Sequence, residues 1–126
     1  MKIIITGASG LLGRALMQRF REYNPIGCAF SRAGNQWYKL DLTQSEAVTR
    51  LIHAEQPDVI IHAAAERSPE ACAQDHASAL RLNVDATAHL AKEAKAVGAW
   101  LLYISSDYVF DGTAPPYSVD DAPNPL

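Results

Sequence analysis

Residues 1–13, Met1-Lys2-Ile3-Ile4-Ile5-Thr6-Gly7-Ala8-Ser9-Gly10-Leu11-Leu12-Gly13, run from an apolar stretch into three glycines spaced G-x-x-G-x-x-G. A buried strand that delivers a glycine turn into a helix is a phosphate cradle. Gly7 takes backbone angles closed to other residues, Gly10 lets the main chain approach a pyrophosphate, and Gly13 lets the next helix sit close to the sheet. The free amides at the helix start then face the anion, and the helix dipole favours its charge. Glycines at this spacing also serve ordinary turns, so the context decides. Here an apolar strand comes directly before the turn, and Leu12, Ala15, Leu16 and Phe20 follow at helical spacing. The segment is read as a dinucleotide site.

Outward from this unit, strand signals recur at 2–6, 26–31, 58–62 and 100–104, with a weaker one at 36–40, and helical patterns fill the gaps. Such alternation predicts βαβ units and a parallel sheet covered on both faces. With right-handed crossovers the expected architecture is an α/β Rossmann-type doubly wound sheet of order 3-2-1-4-5. Thr43-Gln44-Ser45-Glu46 has the pattern of a capping box, and Ala47, Val48, Leu51 and Ile52 form an apolar stripe behind it, ending near Glu55 before Pro57. Ser68-Pro69 predicts an N-cap with proline at the first helical position and a short helix towards Asp75. Ala79, Leu82, Ala86, Leu90, Ala94 and Val97 mark a longer helix with Gly98 at its C′ position. Residues 111–126, with Asp111-Gly112, Pro115-Pro116, Pro123 and Pro125, read as a loop. Five strands fall short of the six or more usual in such sheets, so the domain is expected to be cut before its last elements, exposing apolar surface and an unpaired edge.

The 126 residues suit one domain, and 48% hydrophobic with 20% charged residues suits a globular chain. A formal net charge of -3 gives no electrostatic reason to bind nucleic acid or an anionic membrane. The chain opens on a strand without a basic leader, and no apolar run approaches a membrane-spanning length, which makes a cytoplasmic location the default. Cys28 and Cys72 lack metal-ligand spacing and read as reduced thiols; His53, His62, His76 and His89 also lack it, so no metal site is expected and packing or solvation accounts for them.

Thr6-Gly7-Ala8-Ser9-Gly10-Leu11-Leu12-Gly13, Asp41-Leu42, Ala63-Ala64-Ala65, Leu82-Asn83-Val84 and Ile104-Ser105-Ser106-Asp107-Tyr108-Val109-Phe110-Asp111-Gly112 occur in this order. Together they resemble the extended short-chain dehydrogenase/reductase family across essentially the whole chain. The run from Ser106 to Gly112 resembles one branch of it, shared by dTDP-4-dehydrorhamnose reductase and the regulatory beta subunit of methionine adenosyltransferase. Glu66-Arg67, Asn83-Val84-Asp85-Ala86 and Ala91-Lys92-Glu93-Ala94 are closer to the regulatory subunit.

The resemblance implies that Gly7, Ser9, Gly10, Leu11, Leu12 and Gly13 hold the pyrophosphate of a nicotinamide coenzyme. An acid that would bind the adenosine ribose of NAD is absent from Phe30-Ser31-Arg32. Arg32 pairs well with a 2′-phosphate and Ser31 can donate to it, so NADP is expected and NAD is the lesser candidate; a solvated arginine is the plain alternative. Asp41-Leu42 resembles the family's adenine contact, or else an aspartate ahead of a helix cap. Ala63, Ala64 and Ala65 resemble the small-residue wall on the nicotinamide side, a role compatible with close helix packing. Asn83, on a buried stripe, is expected to brace the active-site backbone.

Ser106 matches the family's catalytic serine or threonine, placed to hydrogen-bond the substrate carbonyl, with Asp107 and Tyr108 beside the substrate. The family's Tyr-x-x-x-Lys helix has no counterpart here, since none of Tyr103, Tyr108 and Tyr117 is followed four residues later by lysine. It is expected a few residues beyond Leu126, with the substrate-binding part following, so this chain alone should bind coenzyme weakly and catalyse little. Three functions stay open: reduction of a nucleotide-linked 4-keto sugar, NADP-dependent regulation of a methionine adenosyltransferase by docking to it, and that of a nucleotide-sugar epimerase relative with another substrate. A homodimer is compatible with each.

Overall fold

The computed structural model describes residues 1–32 and 34–125. Five strands, β1 (Ile3–Thr6), β2 (Ile26–Ala29), β3 (Tyr38–Lys39), β4 (Val59–His62) and β5 (Trp100–Tyr103), form one sheet in the order β3-β2-β1-β4-β5, and every neighbouring pair is parallel. The predicted order is the observed one. Each strand is shorter than its sequence signal by one to three residues.

Alternation across the sheet splits the core in two. Ile4, Cys28 and Ile60 point to one face, where they meet Val48, Leu51 and Ile52 of α2 (Ser45–Glu55) and Ala86, Leu90 and Ala94 of a second helix. Ile3, Ile5 and Ile61 point to the other and are covered by Leu16, Met17 and Phe20 around α1 (Leu11–Arg19). Helices on both faces make the sheet doubly wound, as expected. Leu12 and Ala15, read as part of the α1 stripe, are exposed instead, because α1 meets the sheet through Leu16 and Met17.

After β4 come α3 (Pro69–Gln74) and then one continuous helical run: α4 (His76–Leu80), a π segment at Arg81–Asp85 and α5 (Ala86–Val97). Ser68 caps α3 through its Oγ, which accepts from the Ala71 amide, with Pro69 at the first helical position, and Gly98 closes α5 at φ 74°. Both ends were predicted from sequence; the π segment was not. The capping box at 43–46 does not form. The Asp41 carboxylate accepts from both the Thr43 amide (2.9 Å) and the Thr43 hydroxyl (2.7 Å), which takes the threonine away from α2 and leaves Gln44 at the cap without a side-chain bond.

Residues 111–125 carry neither helix nor strand, as predicted. Their order comes from Asp111, whose carboxylate accepts from the Thr113 amide and hydroxyl, the Tyr117 hydroxyl and the Asn124 amide group, while Phe110 and Tyr117 stack 4.2 Å apart. These donors hold the Asp111 carboxyl down at about 2. At the outer strand β5, Trp100 and Leu102 stand opposite Val59 and Ile61 in register and are exposed. No helix among the described residues is long and apolar enough to cross a membrane.

Candidate functional site

Because every strand runs the same way, the loops after β1, β2, β3, β4 and β5 all leave from one edge of the sheet, where open α/β folds place their ligands. The predicted site residues Gly7 to Gly13, Ser31 and Arg32, Asp41 and Leu42, Ala63 to Ala65, and Ser106 to Tyr108 all lie on these five loops or the helix turn that follows. The first residues of the loops are tied to neighbouring strands: Ala8 donates to the Cys28 carbonyl, Leu40 to Ala29 and Ile104 to His62.

The glycine turn separates what the fold needs from what a ligand needs. Gly7 has φ 70°, and a Cβ there would lie 2.7 Å from the Ala63 carbonyl oxygen. A Cβ on Gly13 would overlap the Gly7 carbonyl oxygen and lie 2.7 Å from the Ala8 Cα. These two glycines are demanded by packing. At Gly10 a Cβ would meet only the Gly7 carbonyl oxygen, at 3.2 Å, and otherwise open space. Helix α1 starts just after Gly10, its N-cap residue, with no side-chain cap and no acidic residue in its first turn. An uncapped helix start whose approach a Cβ would fill fits the pyrophosphate of a dinucleotide. Leu11 and Leu12, in that first turn, are exposed.

On the β2 side Ser31 and Arg32 are exposed immediately past the strand, with the guanidinium carried on a turn. Asp41 is half-buried and its Oδ1 is already committed to Thr43, so it builds the turn ahead of α2. Leu42 belongs to the buried core. A shallow concavity of about 370 Å³ lies past that turn, lined by Thr43, Gln44, Ser45, Glu46, Ala47 and Arg50, among exposed side chains and away from the glycine turn.

The loop after β4 is held from behind. Asn83, in the π segment, accepts from the Glu66 amide at 2.8 Å and donates to the Glu66 carbonyl at 2.9 Å, so one side chain satisfies both backbone groups of one residue. Asn83 was expected to find a partner, and that partner is the backbone of Glu66. The Glu66 carboxylate in turn accepts from the Ser68 amide.

Below this loop lies a connection that the sequence reading missed. His62, buried at the end of β4, is in register with Thr6 at the end of β1; Thr6 Oγ1 lies 2.7 Å from its Nδ1, and Thr87 Oγ1 lies 2.9 Å from its Nε2. Burial pushes the imidazole down to about 4. The available signal was one polar residue closing each of two apolar strands. His53 bonds the buried Glu93 at 2.8 Å and His89 donates to the Ser45 carbonyl, so both tie α2 to α5. Cys28, buried in the sheet, has its thiol raised to about 12.

Ser106 caps the short turn Asp107–Val109 after β5. Its Oγ accepts from the Tyr108 amide at 3.2 Å and donates to Asp107 Oδ1 at 3.3 Å. All three residues are exposed at the ligand edge.

The model of the RmlD substrate binding domain matches residues 1–126. The chain belongs to the RmlD substrate binding domain family. Within that family it is 53% identical over 127 residues to methionine adenosyltransferase 2 subunit beta from Rattus norvegicus, with 99% of this chain and 38% of that protein aligned. Among solved structures it resembles a hypothetical dTDP-4-dehydrorhamnose reductase from Sulfolobus tokodaii at TM-score 0.93 and 37% identity, covering 99% of this chain and 46% of the other. It also resembles dTDP-4-dehydrorhamnose reductase from Bacillus anthracis, solved in complex with NADP, at TM-score 0.85 and 31% identity, over 98% and 43% of the two chains. The chain thus spans about two fifths of the length of the relatives it matches. The relatives it matches include both branches that the sequence resembled, the regulatory subunit and the reductase.

Proposed function

We propose that this chain forms the coenzyme-binding portion of an NADP-dependent reductase that converts the 4-keto group of a nucleotide-linked sugar to an alcohol. One observation carries the reading: an uncapped helix start behind a glycine turn, on the same sheet edge as an exposed serine past β5. The complex of the Bacillus anthracis relative with NADP supports the coenzyme.

In this reading the amides of Ser9, Leu11, Leu12 and Gly13 hold the pyrophosphate, the Gly10 amide being bonded to the Gly7 carbonyl, and Arg32 with Ser31 holds the 2′-phosphate. The alanines at 63–65 leave room for the ribose and the nicotinamide. NADPH held there would supply the hydride for the keto carbon, and the proton for the carbonyl oxygen would come from the tyrosine of the family's Tyr-x-x-x-Lys motif, which this chain does not contain. Ser106 Oγ, freed from Asp107, donates to the carbonyl oxygen, and Asp107 and Tyr108 line the substrate side.

A second reading has its own support. The identity of 53% to methionine adenosyltransferase 2 subunit beta exceeds that to the reductases, and it favours an NADP-binding subunit that docks to a methionine adenosyltransferase. One experiment separates the two. The intact protein is mixed with NADPH and a nucleotide-linked 4-keto sugar, and separately with a methionine adenosyltransferase. Oxidation of NADPH that falls at least tenfold in kcat in Ser106→Ala, with coenzyme affinity unchanged, is expected of the reductase. No oxidation together with a stable complex would replace it by the regulator.

A further inference from the structure

The directions of three hydrogen bonds can be read from one end. The Asn83 carbonyl only accepts, so Thr87 Oγ1 spends its proton there, at 2.9 Å. Thr87 Oγ1 must then accept from His62 Nε2–H, and His62 Nδ1, left without a proton, accepts from Thr6 Oγ1. The result is a one-way line: Thr6 to His62 to Thr87 to the Asn83 backbone, with the Asn83 side chain continuing to Glu66. Its two ends are the residue before the glycine turn and the loop that faces that turn.

These two loops touch. A Cβ built on Gly7 would lie within 3 Å of Ala63 and Ala64 backbone atoms, so the two loops pack there with no room for a side chain between them. A buried imidazole is an expensive way to fill space, since each of its ring nitrogens needs a partner. Here both partners exist, and both sit one step from the ligand edge. Thr6 and His62 are each only 1% exposed, which keeps water from substituting for either.

We propose that His62 is a positioning residue for the coenzyme groove. It is a neutral Nε2–H imidazole that sets the spacing between the glycine turn and the β4 loop by joining Thr6 to the π segment through Thr87. The proposal rests on the reading of the glycine turn as the coenzyme cradle. Burial favours the neutral ring, in keeping with its one-way bonding.

The test uses the intact protein, NADPH as probe, and the variants His62→Phe, Thr87→Val and the pair together. Calorimetric titration is expected to show about tenfold weaker NADPH binding in each single variant. The pair should be no weaker than the worse single variant, because both substitutions cut the same line. Imidazole nitrogen shifts in the wild type are expected to report Nε2–H. Thr87→Val is nearly isosteric and keeps the test alive if His62→Phe fails to fold. Affinity in Thr87→Val within twofold of wild type, additive losses in the pair, or an Nδ1–H ring would overturn the proposal. Wild-type protein that binds no NADPH would instead overturn the reading of the turn itself, and the proposal with it.

Discussion

The loop after β1 and the loop after β4 face each other across the same edge of the sheet, yet they are built on opposite plans. The first is shaped by missing atoms: Gly7 and Gly13 have no room for a Cβ, and the helix start at Gly10 has no side-chain cap. The second is shaped by added bonds: Asn83 takes both backbone groups of Glu66, Glu66 takes the Ser68 amide, and Ser68 caps the next helix. The first loop opens onto a helix start whose amides no side chain caps, whereas in the second the Glu66 and Ser68 amides are taken by side chains. A groove needs both, a receptive wall and a fixed one.

Filling the receptive wall should do the most damage. Gly7→Ala would force an alanine into the left-handed region and against Ala63, and we expect a loss of about 4 kcal/mol in urea unfolding, together with loss of coenzyme binding. A variant as stable as wild type would show that the contact with Ala63 is loose. The joint between the walls comes next. The folded His62 has its pKa lowered to about 4 from 6.5, so between these values the unfolded chain binds a proton that the folded chain does not. The stability held by the neutral ring is therefore complete above 6.5 and lost as pH falls towards 4. The loss should be about 3 kcal/mol by chemical unfolding near pH 7 and near pH 4, and His62→Phe should lack that slope.

Weakening the fixed wall is expected to cost less. Asn83→Ala leaves the Glu66 amide without its partner and the carbonyl with only the weak Cys72 thiol donor, for a loss of about 2 kcal/mol, with faster amide hydrogen exchange at 63–68 than at 7–10. Equal exchange in both loops would erase the contrast drawn here. The smallest effect lies beyond both walls. Arg32→Ala should weaken NADP binding about tenfold and leave NAD binding nearly unchanged by calorimetry, because only NADP carries the extra phosphate. Equal losses would remove Arg32 from the coenzyme site.

Local chemistry explains what the sequence revealed. The glycine turn, the Ser68 cap and the Gly98 terminus each depend on residues adjacent in the chain, and the strand order follows from the βαβ alternation with right-handed crossovers, so each was legible. Thr43 misled because Asp41, two residues before it, binds both its amide and its hydroxyl proton and holds the threonine in its own turn, off the helix start. The line from Thr6 through His62 to Thr87 was hidden because its members are 56 and 25 residues apart, and only strand register and the helix path bring them together. Asn83 was legible as a buried polar residue in need of a partner, but its partner was not. The apolar pattern of the long helix gave no sign of the wide segment at Arg81–Asp85, since Ala79, Ala86, Leu90 and Ala94 are buried on both sides of it.

That wide segment turns residue count into a specification. Removing one residue from it would restore the ordinary spiral and rotate everything upstream by about 100° about the helix axis. Asn83 would then swing off the bearing that meets Glu66, even with every side chain retained. A sequence that keeps Asn83 and Thr87 but drops a residue between Arg81 and Asp85 would thus have all the parts of this wall and none of its alignment.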